Sequence, residues 1–379
     1  MIRSAIDVCK FVSAVLLSTL LTISLLYVTL DAPRIINEFL LKFFPDYWDF
    51  EKVRETIDLM RPCGYAMLVT VIVFVILGFI TKRRHLSVLG SVALYLPVFG
   101  YFAFQMFFLA GVGVLRALWF PLLDVSPTTL KLGHIVYLPY FLLSSPLSIV
   151  VHGDISVALV LTIMSIGLFV FFLGVATWLY GKFKRKDIMD FWIYRRSRHP
   201  QYLGFLLWSY GLLLLATFAP YPKGGYVPHP TLPWLVSSLI VIGVALQEEA
   251  QMVKKYGKEY VDYRRKVPFM IYLPRILVAL INLPMRLLSK EYPENTKEVI
   301  CIVFAYLIIL PFHSYSCIIK SNSLFDRVQL RYSLKPHRID KTRIGKCTIQ
   351  IKRYHFIANH LSFHSTTKHL RNLLFERCR

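Results

Sequence analysis

The sequence predicts an all-α integral membrane protein, a multi-span helical bundle that ends in a C-terminal helical hairpin. Of its 379 residues, 56% are hydrophobic and only 17% are charged, and the mean hydropathy is +0.53. A soluble protein would carry about a quarter charged residues. Several uncharged stretches reach the length of about 20 residues that a helix needs to cross a bilayer. The formal net charge of +22 lies mostly in the loops and the C-terminal tail, which is typical of the positive-inside bias and of attraction to anionic lipids.

Composition argues against two other classes of protein. The six cysteines show neither paired spacing nor a metal-binding pattern with histidine, so we expect no disulfide framework and no metal site. The basic tail could bind nucleic acid, but attraction to a membrane surface explains the same charge. We therefore expect the membrane, and no nucleic acid, as the partner of this charge. The oligomeric state is left open by the sequence.

The N-terminal transmembrane region, residues 1–154, predicts about three spans and one further apolar segment. Residues 11–30 are uncharged and lack the cleavage site of a signal peptide, so we expect an anchor helix whose N-terminus is cytoplasmic. Residues 31–61 suit an interfacial loop with a short amphipathic helix. Two more spans are expected at about 63–80 and 87–114.

The apolar residues 132–151 contain two prolines and fit either a kinked span or a re-entrant segment. Parity favours the re-entrant segment. The basic clusters at 82–85 and 182–186 should lie on one side of the membrane, and a further crossing between them would separate them.

Residues 155–275 hold the clearest span, 155–180, and then the hairpin. The arms of the hairpin are residues 202–219 and 231–248. The turn between them, residues 220–230, is rich in Pro and Gly, which end both helices.

The last two parts of the chain carry weaker signals. Residues 276–319 are apolar; the part at 276–288 is too short to span, whereas 298–319 is long enough. Whether this segment crosses the membrane or lies on it is left open. The tail, residues 320–379, is basic and without periodicity, and we expect it to be poorly ordered.

The hairpin predicts that two charge clusters meet. The midpoint between His199 and Glu248 falls at residues 223–224, in the centre of the turn. Each arm has about eighteen residues and is about 27 Å long at 1.5 Å per residue, close to the thickness of a bilayer core. Arg198 and His199 should therefore lie beside Glu248 and Glu249 and form a pocket for a zwitterionic ligand on the cytoplasmic side.

Two neighbouring residues could add to such a pocket. Gly204, one turn into the first arm, would let a ligand approach the backbone. Tyr202 could stack on a ring or face a sulfonium or ammonium group. The alternative is that the charged residues are solvated ends of ordinary helices, whose long side chains reach the interface. Spacing alone does not decide between the two.

Three groups of residues carry a resemblance to a known family. They are Arg198-His199-Pro200-x-Tyr202-x-Gly204, then Glu248-Glu249, then Lys255-Tyr256-Gly257-x-Glu259-Tyr260-x-x-Tyr263 with Val267-Pro268. In this order and spacing they resemble the C-terminal signature of the isoprenylcysteine carboxyl methyltransferase and phospholipid methyltransferase superfamily. The resemblance covers about residues 155–275.

The resemblance implies an integral-membrane methyltransferase that uses S-adenosylmethionine and a lipid-like acceptor entering from the bilayer. The helix at 256–263 would cover the cofactor. By position, the residues implied to contact the cofactor are Tyr194, Arg198, His199, Tyr202, Leu203, Gly204, Glu248, Glu249 and Tyr260. The acidic pair would also be catalytic. An amine or hydroxyl acceptor needs a general base, and Glu248 or Glu249 is the local candidate, whereas a carboxylate acceptor needs none.

The chain departs from the family pattern at two places. Trp192-Ile193-Tyr194 stands where the family often has Gly-Pro-Tyr. The protein-carboxyl members also carry an Arg one turn before the acidic pair, where this chain has Val244, which offers no charge to a substrate carboxylate.

Two other hypotheses follow from the same residues. Sterol and steroid reductases that bind NADPH share a similar Arg-His-Pro-x-Tyr and Lys-x-Tyr-Gly ending. They typically place Asp where this chain has Phe205, and Asp-Glu where it has Glu248-Glu249, so the pattern favours the methyltransferase. The third hypothesis is a non-catalytic membrane protein that has kept the fold.

Overall fold

The structure is a computed structural model that describes residues 2–47, 49–98, 109–126, 128–151, 155–218, 230–272 and 292–321. Within these residues every regular element is helical, which confirms the all-α prediction. The α-helices are α1 (Ile2–Leu26), α2 (Ala32–Leu40), α3 (Phe50–Ile80), α4 (Arg84–Tyr95), α5 (Phe120–Val125), α6 (Leu138–Val151), α7 (Ser156–Phe183), α8 (Pro200–Phe218), α9 (Thr231–Tyr256), α10 (Lys258–Lys266) and α11 (Thr296–Ser321). Segments of 3-10 helix lie at Leu96–Val98, Gly111–Trp119, Thr129–Tyr137 and Trp192–Arg195.

Six helical stretches of the described chain are long and apolar enough to cross a membrane. They are Ala5–Leu40, Glu51–Ile80, Thr129–Val151, Ser156–Phe183, Thr231–Tyr256 and Thr296–Ser314. The protein is therefore a multi-pass membrane protein, as the sequence predicts. Most of the predicted turn at 220–230, the segment 276–288 and the tail from 322 onward lie outside the described residues.

The N-terminal helices differ from the predicted spans in length and continuity. The first continues to Leu40, because a π-helical turn at Tyr27–Asp31 accommodates the proline at the start of α2. Helix α3 begins at Phe50, well before the expected start at 63, because charged side chains at a membrane surface reach water without ending a helix. The expected third span over 87–114 is not one helix, since α4 ends at Tyr95 and Gly111, with φ +53°, begins a separate 3-10 segment; residues 99–108 lie outside the described chain.

Arg84, Arg198 and the acidic pair lie together at one end of the bundle, which is called the site end. Lys184 after α7 lies 3.4 Å from Asp7 of α1, and Arg84 forms an ion pair with Glu248. The basic clusters at 82–85 and 182–186 therefore share one end, as the sequence predicts. The opposite end, called the far end, joins other loops: the Gly111 amide donates to the carbonyl of Phe44 over 2.8 Å.

The segment Thr129–Val151 begins and ends at the far end. The hydroxyl of Thr231, at the far-end start of α9, donates to the Leu130 carbonyl over 2.8 Å. Val151 is four peptide bonds from Ile155, at most about 15 Å, and Ile155 caps the far-end start of α7. Since α7 is about 42 Å long, both ends of the segment lie nearer the far end than the site end. The re-entrant segment stays a prediction, because Thr129–Val151 is also long and apolar enough to cross a membrane.

Small residues let the helices that bear the site approach closely. A Cβ atom at Gly204 of α8 would collide with the backbone of Phe171 in α7, and one at Gly167 would collide with Trp208. Helix α9 lies at the centre, with 78% of its most apolar window buried, against 11% for the first span. The exposed apolar faces of the outer helices suit contact with lipid tails. In a membrane, small residues allow neighbouring helices to pack with their backbones close together.

Cysteine labelling in sealed vesicles can test this arrangement. In a cysteine-free background, Thr128→Cys and Ile155→Cys should react with a membrane-impermeant thiol reagent from the same side. Arg83→Cys and Arg185→Cys should react only from the other side. Reaction of Thr128→Cys and Ile155→Cys from opposite sides would contradict the re-entrant geometry.

Candidate active site

The stretch before α8 is held in place by α10 and the segment that follows it. The backbone amide of Arg198 donates to the Pro268 carbonyl over 3.1 Å, and the Tyr263 hydroxyl donates to the Tyr194 carbonyl over 2.8 Å. Pro200 then starts α8, where a missing amide hydrogen costs nothing. Arg198 and His199 are thus fixed just ahead of a helix.

Arg198 and His199 both bind Glu249. The Arg198 Nη1 atom lies 3.0 Å from Oε2 of Glu249, and His199 Nε2 lies 3.0 Å from its Oε1. The side chains of Arg198 and Glu249 are each 3% exposed and that of His199 is 7% exposed. The predicted meeting of the two charge clusters is confirmed, and the alternative of solvated helix ends is wrong for these three residues.

Glu248 has a different environment from its neighbour. Its Oε1 atom accepts a 2.7 Å hydrogen bond from the Tyr202 hydroxyl and pairs with Arg84. The side chain is 21% exposed, and His199 Nδ1 lies 3.9 Å from its Oε2. Glu249 is therefore a buried organising carboxylate, while Glu248 remains accessible at the opening of the same site.

Arg84 is a site residue that the sequence reasoning missed. It was included only in the basic cluster at 82–85 as a signal of membrane orientation. Its contact with Glu248 joins residues 164 positions apart in the chain. No local sequence pattern predicts such a contact. The sequence indicates only that this cluster and Glu248 both lie at the ends of apolar helices on the same side of the membrane.

Helix α10 covers the site. Gly257, with φ +55°, makes the turn between α9 and α10, a backbone conformation that favours glycine. Tyr260 on α10 is 5% exposed. Burial raises the pKa of Tyr260, and the nearby Glu249 carboxylate adds to the effect. Burial likewise raises the pKa of Tyr194, followed by the influence of Tyr263, so these hydroxyls stay protonated.

Aromatic rings form a wall beside the cation, and the sequence reasoning missed them too. The guanidinium carbon of Arg198 lies 5.6 Å from the ring centroid of Phe269 and 5.9 Å from that of Tyr292. Arg264 stacks over Tyr292 at 3.9 Å. The Nε atoms of Arg198 and Arg264 are buried, and none of the residues that the structure describes accepts a hydrogen bond from them. These two donors are available to an anionic group.

The remaining expected site residues are positioned by packing. Gly204 faces α7, so its close contact is with a helix and the expectation that a ligand approaches there is corrected. Leu203 is half-buried one turn after His199, with its amide on the His199 carbonyl. Val244 is fully buried in the core one turn before the acidic pair.

The comparisons with known proteins give one match. Residues 134–267 match the model of a family described as "Protein of unknown function (DUF1295)". The matched range contains every residue that the sequence assigns to the site, whereas Arg84, Phe269 and Tyr292 lie outside it. No curated protein and no solved structure matches the chain.

Substituting each glutamate should separate their roles. Glu249→Gln breaks a buried ion pair and should cost about 3–5 kcal/mol of unfolding free energy. Glu248→Gln weakens a pair whose arginine is 48% exposed and should cost no more than about 1 kcal/mol. Denaturant unfolding in detergent, followed by circular dichroism, measures both. Equal losses would contradict the distinction.

Gly204→Ala should destabilise the contact between α7 and α8. An added methyl group would overlap the Phe171 backbone, and overpacking of this kind costs about 1–3 kcal/mol. The melting temperature of the detergent-purified protein should fall. Unchanged stability together with weakened ligand binding would instead support the original expectation that a ligand approaches Gly204.

Proposed function

We propose that this chain is an integral-membrane methyltransferase that uses S-adenosylmethionine and acts on a lipid or lipid-linked acceptor. The observation that carries the proposal is the buried network of Arg198, His199 and Glu249, with Glu248 accessible beside it under α10. Buried ionisable groups at the ends of membrane helices mark functional sites. The matched family is associated with membrane proteins similar to steroid 5-alpha reductases and methyltransferases, which agrees with this class of enzyme.

The residues present fit the amino-acid end of the cofactor. Arg198 uses Nη1 on Glu249, and its buried Nε donor, which has no partner within the described part of the chain, can bind the carboxylate of the ligand. Glu248 offers a carboxylate that opposes positive charge on the ligand. Tyr260 on α10 and Phe269 supply apolar surface over the same region. Arg198 therefore offers a donor to the carboxylate of such a ligand, and Glu248 offers a carboxylate to its positive charge.

The contribution of the protein to the reaction is positioning and exclusion of water. Bound S-adenosylmethionine supplies an electrophilic methyl group on a sulfonium. Methyl transfer is an in-line displacement, so the alignment of donor and acceptor determines its rate. Arg198 and His199 hold Glu249 and thereby orient the wall of the site, while α10 excludes water. Glu248 is the candidate general base where the acceptor carries a proton, because it is the exposed member of the pair.

The orientation follows from the basic clusters. Both 82–85 and 182–186 lie at the site end, and excess Lys and Arg mark the cytoplasmic side of a membrane protein. The catalytic side is therefore proposed to be cytoplasmic, with the acceptor entering laterally from the bilayer between exposed apolar helices.

An NADPH-dependent sterol-reductase-like enzyme is the second candidate. The association of the matched family with steroid 5-alpha reductases favours it, as do the arginine donors, since phosphate groups prefer bidentate arginine contacts. Against it stand Phe205 and the Glu-Glu pair in place of the reductase pattern. A non-catalytic protein of the same fold is the third.

Calorimetry on the detergent-purified full chain distinguishes the three candidates. We expect S-adenosylmethionine to bind and NADPH not to bind. Selective binding of NADPH would support the reductase, and binding of neither would support the non-catalytic protein.

Variants of the site should then alter binding and methyl transfer. His199→Ala and Glu248→Ala should weaken S-adenosylmethionine binding by at least about tenfold, since each removes a charged or hydrogen-bonding partner, and should abolish transfer of a labelled methyl group into the lipid fraction. The matched control is Glu55→Gln on α3, an exposed acid at the far end, which should behave as the wild type. Normal turnover in both site variants would refute the assignment.

A further inference from the structure

Arg84 brings a cation into the site from a part of the chain outside the matched family region. It is the first residue of α4, and its guanidinium pairs with the same Glu248 oxygen that the Tyr202 hydroxyl contacts. Its side chain is 48% exposed. An arginine has five N–H donors in a planar fork, so the pairing through Nη1 leaves further donors on this exposed side chain beside Glu248.

Close helix packing holds Arg84 in this position. The hydroxyl oxygens of Ser91 on α4 and Ser237 on α9 lie 2.7 Å apart, and each lies within hydrogen-bond distance of the other residue's carbonyl, at 2.9 and 3.0 Å. On the other side of α4, a Cβ atom at Gly78 of α3 would collide with Ser87. The start of α4 is therefore fixed against both the preceding helix and the helix that bears Glu248.

The charge balance of the site depends on Arg84. Arg84 and Arg198 together neutralise Glu248 and Glu249, and Arg264 adds a further cation beside the same aromatic wall. S-adenosylmethionine carries a sulfonium, an ammonium and a carboxylate, so it adds one net positive charge. An acceptor with a negatively charged group offsets this excess in a partly desolvated site, where unbalanced charge is costly.

We propose that Arg84 is a specificity-determining residue that binds an oxyanion of the methyl acceptor, so that the N-terminal region selects anionic lipids for the reaction. This inference rests on the proposed methyl transfer. The chemistry common to the candidate acceptors is an anionic oxygen on an apolar chain, either a carboxylate or a phosphate. Because Val244 stands one turn before the acidic pair, α9 has no cation at that position, and Arg84 supplies one from α4.

The reaction of such an acceptor balances without a proton transfer. A lone pair on the anionic oxygen forms the new C–O bond to the methyl carbon. The C–S bond breaks and its electron pair returns to sulfur, which yields a neutral thioether and an ester with one negative charge fewer than the acceptor. In this reaction Glu248 holds Arg84 and accepts no proton, and its carboxylate would oppose the positive charge of a bound sulfonium.

Photoaffinity labelling with probes of different charge tests the inference. The full chain in phosphatidylcholine nanodiscs would be irradiated with a diazirine-bearing fatty acid, an alkyl phosphate or a fatty alcohol of equal chain length. We expect saturable labelling by at least one anionic probe and none by the alcohol, and the two anionic probes distinguish a carboxylate from a phosphate. Arg84→Gln should weaken the anionic labelling by at least about tenfold, the loss of a charge-assisted hydrogen bond, and Arg84→Lys should restore part of it.

The matched control is Arg83→Gln, which removes the same charge from the adjacent exposed residue and should label as the wild type. Three outcomes would overturn the inference: saturable labelling by the alcohol, equal effects of Arg83→Gln and Arg84→Gln, or no saturable labelling by any probe. Calorimetry with S-adenosylmethionine on the wild type separates the two proposals. Binding of S-adenosylmethionine with charge-independent labelling refutes only the role of Arg84, whereas absence of binding refutes the methyltransferase itself.

Discussion

The pairing of Glu249 with both Arg198 and His199 is the interaction on which the site depends. All three side chains are almost fully buried at the end of a membrane bundle, where an unpaired charge would be costly. The carboxylate therefore holds the start of α8 against α9, and the Arg198 amide extends this connection to Pro268. One buried carboxylate thus couples the two arms of the hairpin to the segment after α10.

The partners of Glu248 differ from those of Glu249 because Glu249 already pairs with Arg198 and His199. Because the buried member of the pair occupies Arg198 and His199, the exposed member is left to Tyr202 and to Arg84. Two adjacent residues of the same chemistry thereby acquire an organising role and an accessible one. Differences of environment between neighbouring carboxylates commonly separate their functions in active sites.

The N-terminal region is more than an anchor for the hairpin. Helix α4 packs on α9 through paired serines and brings Arg84 to the acidic pair. The first span also contacts α7, which packs against the hairpin, since the Ser18 hydroxyl donates to the Phe172 carbonyl over 2.6 Å. The matched family range covers the hairpin and its cover, while this chain completes the site from helices outside that range.

The sequence by itself determined the helical membrane class and the meeting of the charged residues at the base of the hairpin. Apolar length reports bilayer crossing directly, and equal arms around a Pro/Gly turn require His199 and Glu248 to return to the same depth. Helix ends were less predictable: charged residues do not stop a helix at a membrane surface, so α3 starts at Phe50 rather than near 63.

Only the tertiary structure decided which residues from distant parts of the chain reach the site. Arg84 and Glu248 are 164 residues apart, and Phe269 and Tyr292 carry no motif that links them to Arg198. Gly204 shows the same limit, because a small residue suits either a ligand or a neighbouring helix and only the position of α7 distinguishes them. Periodicity and spacing constrain one helix or hairpin at a time, whereas contacts between helices depend on how the whole bundle packs.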